Sequence, residues 1–298
     1  MTRVPIGLLL VLALAALIIP SAAVHSAVFS LSRVETAKHV DFEDGVVWIL
    51  ALGSDARPGE GLREARTDAI QLVGINFDTG SAVGIGIPRD SWVEIPGEGP
   101  DRINTALAQT DENGVARVVR DLVGILPDYV FVTGFSGLRS MVDSIDGVVV
   151  RSPIPFGDPE FGLTVRRGPN RFDGSQALDF TRSRKELRGQ DFDRSANQQR
   201  LMLGILRQLQ AHEDEDGFME RGTLAALAGL ETDLPPTELY RLAQAVTQVE
   251  TRRVTVCVIG GTPGEVEGQS VVFADERQAR RLGADAKRDA RLQRGCSG

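Results

Sequence analysis

Seven consecutive apolar residues, Val46-Val47-Trp48-Ile49-Leu50-Ala51-Leu52, stop abruptly at Gly53. A short run of this kind, without polar alternation, reads as a strand buried on both faces. Its neighbours fit. Ala69 to Phe77 has strand character, Asp78-Thr79-Gly80 is a turn signal, and Ala82 to Ile87 returns as a third strand, forming a hairpin beside the first. Asn113 to Ile125 follows with helical spacing of Val115, Val118, Val119 and Leu122. A strand over Tyr129–Val132, a helix over Phe135–Ile145 and a strand over Gly147–Val150 come next. An amphipathic helix over Asp193–Leu209, a helix from Pro235-Pro236 to about Val249, a strand over Arg253–Ile259 and a charged helix from Asp275 to about Leu292 complete the chain. This alternation predicts an α/β fold with a central sheet sandwiched by α-helices. Glu213-Asp214-Glu215-Asp216 reads as a solvated loop.

One further segment stands apart. Val4 to Ile19 is apolar throughout, preceded by Met1-Thr2-Arg3, and with Pro20 to Val24 it reaches the length of a spanning helix. It is either a transmembrane anchor with a short cytoplasmic tail or a signal peptide cleaved near Ser21-Ala22-Ala23. Both place the remainder outside the cytoplasm. The expected organisation is a tail and anchor over 1–28, a juxtamembrane segment over 29–45, and an extracytoplasmic domain over 46–298, with a core at 46–211 and further helices and a strand at 212–298. Cys257 and Cys296 are then either a disulfide holding the C-terminal tail or two thiols. No Cys/His cluster exists for zinc, and His25, His39 and His212 fit no triad. The net charge of −8 argues against nucleic acid as the partner.

Charged groups recur where strands end, the place where α/β folds keep their sites. Gly53-Ser54-Asp55 follows the first strand, Arg66-Thr67-Asp68 precedes the second, and Ile87-Pro88-Arg89-Asp90 follows the third. Arg102-Ile103-Asn104 comes shortly after. Gly174-Ser175-Gln176-Ala177-Leu178 leads to Thr181-Arg182-Ser183-Arg184, and Asp191-Phe192-Asp193-Arg194 opens the amphipathic helix with Gln198 and Gln199. Residues 182–200 carry six basic side chains against three acidic ones in a chain that is negative as a whole. If these arginines converge they repel, by about 4 kcal/mol per pair ~4 Å apart at an effective dielectric near 20. A polyanion relieves this, and guanidinium forks match phosphate oxygens. Arg194 and Gln198, four apart, share a helix face; Arg182 and Arg184, two apart, share a side if extended.

In order and spacing, this set resembles the LytR-CpsA-Psr family over roughly Val46 to Leu209, although Arg102 stands where that family usually has lysine and Asp193 where it usually has glycine. The resemblance implies a mixed central sheet with helices on both sides and one N-terminal transmembrane helix. It implies a membrane-bound, extracytoplasmic phosphotransferase moving a glycopolymer (teichoic acid, capsule or arabinogalactan type) from a polyprenyl-pyrophosphate carrier to peptidoglycan. Arg66, Arg89, Asp90, Arg182, Arg184 and Arg194 would be catalytic, and Arg102, Asn104, Gln198 and Gln199 would bind substrate. Asp55 and Asp68 would hold Mg²⁺ or Mn²⁺, hard cations suited to carboxylate and phosphate oxygens. On the residues alone, the alternative reading makes the two aspartates strand-end caps or ion-pair partners, and the two glutamines plain helix surface. Asp90 could orient Arg89 or act as a base.

No nucleophile elbow is present, and neither cysteine has a histidine near it in sequence. That suits direct phosphoryl transfer, in which positioning and charge neutralisation supply the catalysis. A hydrolase of lipid-linked phosphates and a non-catalytic glycan-lipid sensor remain as alternatives. A lipid carrier needs an apolar tunnel, for which the inner faces of the Val115–Ile125 and Leu201–Leu209 helices are candidates; a closely packed core would look the same in sequence.

Overall fold

The computed structural model describes residues 27–35, 37, 45–57, 59–212, 215, 218 and 230–296. The N-terminal apolar run expected to be an anchor, and most of the acidic run at 213–216, lie outside these. Among the described residues no helix is long and apolar enough to cross a membrane.

The strands are β1 (Phe29–Arg33), β2 (Val46–Ser54), β3 (Thr67–Asn76), β4 (Ala82–Gly86), β5 (Trp92–Ile95), β6 (Gly99–Arg102), β7 (Tyr129–Thr133), β8 (Val148–Ser152), β9 (Phe156–Asp158), β10 (Leu163–Val165), β11 (Gly168–Phe172), β12 (Leu230–Thr232), β13 (Val254–Val258), β14 (Gly261–Val266) and β15 (Gln269–Ala274). The principal helices are α1 (Glu112–Val123), α2 (Phe135–Ser144), α3 (Gly174–Arg182), α4 (Asp191–Ala211), α5 (Pro236–Thr247) and α6 (Glu276–Ala286). Seven strands form one mixed sheet in the order β12-β1-β7-β2-β3-β4-β13. The tight turn after Asn76 makes β3 and β4 antiparallel, whereas β2 and β7, joined through helix α1, run parallel.

Successive β2 residues point to opposite faces. Trp48, Leu50 and Leu52 join Ile70, Leu72 and Ile85 in a core closed by Val115, Val119 and Leu122 of α1 and Leu282 of α6. Val47 and Ile75 pack on the other face with Tyr129, Leu242 of α5 and Leu206 of α4. The two helices whose inner faces were candidates for an apolar tunnel therefore cover opposite faces of the sheet. A satellite core joins Val148 and Val150 of β8 to Phe172, Phe180 and Leu201.

Of the segment 29–45, expected to be juxtamembrane, Phe29–Arg33 join the sheet: β1 pairs antiparallel with β7 from Phe29↔Thr133 to Arg33↔Tyr129. Phe29–Arg33 thus belong to the sheet although they precede the expected domain start at Val46. Phe29-Ser30-Leu31-Ser32 alternates apolar and polar residues, a short strand signal that the sequence reading passed over. The hairpins β5–β6, β9–β10 and β14–β15 are also additions to the sequence reading. Cys257 and Cys296 are disulfide-bonded, with Cα atoms 5.5 Å apart, which resolves the two alternatives for the cysteines.

On the face covered by α4 and α5, the middle of the sheet is only half-buried. Leu31, Phe131 and Ala51 form one register row continued by Gln71 and Gly86. The first three, with Ile49, Val73 and Gly53, retain partial exposure, while their opposite-facing neighbours Leu50, Leu52, Leu72 and Val132 are fully buried.

Candidate active site

The C-terminal end of β2, the start of β3 and the end of β4 lie at one edge of the sheet, because β2–β3 and β3–β4 are antiparallel neighbours. The β2–β3 register slips between Gly53 and Ser54, pairing Ser54 with Thr67 and Gly53 with Ala69, so Asp68 is the extra, bulged residue. Asp55 continues from β2, its backbone N–H donating to the carbonyl of Arg66. The Pro88–Ser91 turn is clamped from several sides. Ser91 Oγ donates to the Pro88 carbonyl, Ile103 N–H to that of Ser91, Asn104 N–H to that of Arg89, and Val272 N–H of β15 to that of Asp90.

Helix α4 approaches the sheet over Gly86, where a Cβ would stand 2.4 Å from Ser195 Oγ and 2.9 Å from Gln199 Nε2. The contact is polar. Gln71 Nε2 donates to Ser195 Oγ at 3.0 Å and Gln198 Oε1 at 3.1 Å, Gln198 Nε2 donates to the Asp68 carbonyl at 3.0 Å, and Gln199 Nε2 donates to the Cys257 carbonyl at 2.8 Å. Buried amides in such a network are satisfied and rigid.

Four arginines and three carboxylates meet at this edge. Arg89 pairs with Asp68, and its Nε lies 3.4 Å from Asp90. Arg102 is 3.9 Å from Asp90. Arg184 Nη1 lies 3.5 Å from Asp90 and 3.6 Å from Asp191. Arg194 Nη2 lies 2.6 Å from Asp191, and the Asn104 amide donates to Asp90 at 3.3 Å. The buried polar atoms without a well-directed hydrogen bond concentrate here: Asp68 Oδ1, Arg89 Nε, Arg102 Nε, Asn104 Oδ1 and Asp191 Oδ1. Such atoms are uncommon in folded interiors, although two of them, Asp68 Oδ1 and Asp191 Oδ1, are in ion pairs with Arg89 and Arg194.

The electrostatics follow the burial. Burial pushes the Asp191 carboxyl up to about 6, reinforced by its hydrogen bond to Asp90 and opposed by Arg194 and Arg184. Burial also acts to raise Asp90, but the Asp191 hydrogen bond together with Arg89, Arg194 and Arg184 outweighs it and holds Asp90 below the usual carboxylate range. Burial lowers Arg194 to about 10, partly offset by Asp191, so it stays charged at neutral pH.

Of the residues expected from sequence, Asp68, Arg89, Asp90, Arg102, Asn104, Arg184 and Arg194 are brought together, with Gln198 bracing Asp68. Asp55 stands at the adjoining strand end, half-buried. Three are placed elsewhere. Arg66 is exposed and forms no ion pair among the described residues; it lies before the start of β3, while Thr67 is buried and Asp68 is the bulged residue. Arg182 does not extend beside Arg184: it is the last residue of α3, and its guanidinium lies over Phe135 and Phe161, 4.6 and 5.0 Å from their centroids. Gln199 is turned into the sheet, its amide taken by protein partners. Sequence reasoning gave no role to Asp191 or to Gln71. The signals were present: an aspartate opening a helix beside the arginine pair, and a glutamine in the middle of an apolar strand.

A mixed sheet with helices on both faces, carrying an arginine–carboxylate cluster at one edge, defines an α/β protein with its charged site at the ends of its strands. The chain matches the LytR_cpsA_psr family model over residues 19–288 and belongs to that family. It is 32% identical over 190 residues to the probable cell wall biosynthesis protein LcpB of Corynebacterium glutamicum, covering 59% of this chain and 45% of that protein. It is 29% identical over 196 residues to the polyisoprenyl-teichoic acid–peptidoglycan teichoic acid transferase TagU of Bacillus cereus, covering 65% and 62%. The match thus spans about half the length of these curated relatives. The fold is similar to that of Bacillus subtilis TagT (TM-score 0.66, 22% identity, 86% of this chain and 95% of that one). It is also similar to the LytR-CPS2A-psr family protein YwtF (TagT) with bound octaprenyl pyrophosphate lipid (TM-score 0.64, 20% identity, 90% and 97%).

Proposed function

We propose that this protein transfers a glycopolymer from a polyprenyl-pyrophosphate carrier to peptidoglycan, forming a phosphodiester. One juxtaposition carries the reading. A cluster of four arginines and three carboxylates stands at the edge of a sheet whose covered face keeps a half-open apolar row through Leu31, Phe131 and Ala51. A diphosphate head suits the first and an isoprenoid chain the second. TagU, named as a teichoic acid transferase, and the lipid-bound YwtF structure support the same assignment.

In this reading Arg89, Arg102, Arg184 and Arg194 bind and orient the diphosphate and neutralise charge that develops as the sugar-bearing phosphorus passes to the acceptor hydroxyl. Asp90 orients three of these arginines. Asp55 and Asp68 fit a divalent cation: both offer hard oxygens at adjoining strand ends, Asp68 through the carboxylate oxygen not taken by Arg89. Among the described residues no three His, Cys, Asp or Glu side chains gather as a metal site; a Mg²⁺ held by Asp55 and Asp68 would take its other ligands from phosphate oxygens and water. When bound, the ion supplies Lewis-acid stabilisation of phosphate charge.

A single-pass membrane location with the domain outside the cytoplasm is supported by the apolar run at 4–24 and by the Cys257–Cys296 disulfide, a bond of oxidising compartments. The test is to incubate full-length, detergent-solubilised protein with a polyprenyl-pyrophosphate glycan, with and without peptidoglycan. A linked product only with acceptor is expected. Equal release of the glycan without acceptor would identify a hydrolase instead, and no turnover of any carrier-linked glycan would favour a sensor.

A further inference from the structure

Asp90 and Asp191 are both buried, 6% and 8% exposed, and arrive from different elements, the turn after β4 and the first turn of α4. They share one guanidinium nitrogen, Arg184 Nη1, at 3.5 and 3.6 Å. The other charged groups facing them are Arg89 and Arg102 on Asp90 and Arg194 on Asp191, with the Asn104 amide on Asp90. Two ionised carboxylates this close repel; one proton between them replaces repulsion with an O–H···O bond. Counting Asp68, the four arginines exceed the three carboxylates by one charge. A diphosphate entering the cluster reverses that sign. Each guanidinium that turns to a phosphate is also withdrawn from a carboxylate.

We propose that Asp90 and Asp191 form a proton-sharing carboxylate pair that takes up one proton when a diphosphate enters the arginine cluster, Asp191 being the member that carries it. The proposal rests on the diphosphate reading given above. The proton comes from solvent, and the only bond made is the Asp191 O–H. Neutral Asp191 then ceases to compete with phosphate for Arg184 and Arg194, so binding tightens as pH falls. The opposed displacements of the two carboxyls, Asp191 upward by burial and Asp90 downward by the arginines and the Asp191 hydrogen bond, agree with this order. Asp191 acts through its neighbours and is a positioning residue.

Isothermal titration calorimetry of the full chain with inorganic pyrophosphate at pH 7.5, in buffers of different ionisation enthalpy, reads the protons taken up. Wild type is expected to take up about one proton more than Asp191→Asn. Its Kd should fall by up to about tenfold more than that of the variant between pH 8 and pH 7, the slope of a one-proton linkage. The variant retains only the titration of pyrophosphate itself. Infrared difference spectra of wild-type protein should show a protonated-carboxyl band on pyrophosphate addition, a readout that does not depend on the variant folding. Binding with equal proton uptake in both proteins, or without the band, overturns this inference and leaves the diphosphate reading standing. Failure of pyrophosphate to bind overturns both.

Discussion

Gln198 donates its side-chain amide to the backbone carbonyl of Asp68 at 3.0 Å, fastening helix α4 to the bulge that carries the carboxylate paired with Arg89. The same glutamine accepts from Gln71, so a helix face and a strand are tied through one side chain. Gln198→Ala leaves a buried carbonyl and a buried amide each short of a partner, an effect of about 2 kcal/mol. Denaturant unfolding should show that loss, and transfer assays a fall in turnover as Asp68 and Arg89 lose their register. Unchanged stability would mean that the network is not holding the helix.

Arg89→Ala and Arg194→Ala are each expected to lower turnover by about two to three orders of magnitude, the size found when one transition-state donor is removed. They should differ in stability. Arg194 is 7% exposed and its removal strips Asp191 of its nearest cation, whereas Asp90 keeps Arg102 and Arg184 when Arg89 is lost. Thermal melting of both variants beside single-turnover assays separates these effects; a wild-type rate in either would remove that arginine from the site.

Removal of divalent metal by a chelator should reduce transfer and Mg²⁺ should restore it. Asp55→Asn is expected to raise the Mg²⁺ concentration needed for half-maximal rate by roughly tenfold or more, the range of weakened metal ligation. A metal titration in which wild type and variant coincide would exclude Asp55 as a ligand.

Burial pushes the Asp128 carboxyl up to about 6, opposed by the Trp48 N–H that donates to it at 2.8 Å. The native state therefore holds this proton more tightly than the unfolded chain, whose ordinary value is 3.8. Its contribution to stability is present in full below about 4 and is lost as pH rises through 6. Asp128→Asn keeps the acceptor without the charge, so it should stabilise the protein by about 3 kcal/mol at pH 8 and by little at pH 4. Melting curves at the two pH values check this.

The Cys257–Cys296 bridge closes a loop of 39 residues over β13, the β14–β15 hairpin and α6. Chain entropy alone assigns it about 4 kcal/mol. Because Val272 of that hairpin donates to the Asp90 carbonyl, Cys296→Ser should lower both the denaturation midpoint and turnover. Loss of stability at full activity would show that the hairpin does not brace the turn.

The sequence alone determined the layered α/β architecture. The apolar run of β2, the 3.6-residue spacing of α1 and the turn at Asp78-Thr79-Gly80 are local signals, and each names its element without reference to any other. It also determined which charged residues stand at strand ends. What it could not fix was which of them turn inward. Arg66 and Asp68 are two residues apart at one strand entry, yet Asp68, the bulged residue, joins the cluster while Arg66, before the start of β3, remains in solvent. Arg182 and Arg184 part because α3 ends between them, leaving one on Phe135 and Phe161 and the other on Asp90 and Asp191. Strand β1 and the carboxylate pair depend on partners about 100 residues away in the chain. Hydrophobic periodicity is a property of neighbours along the chain, whereas the convergence of charges is set by register, bulges and helix ends, which exist only once the sheet has formed.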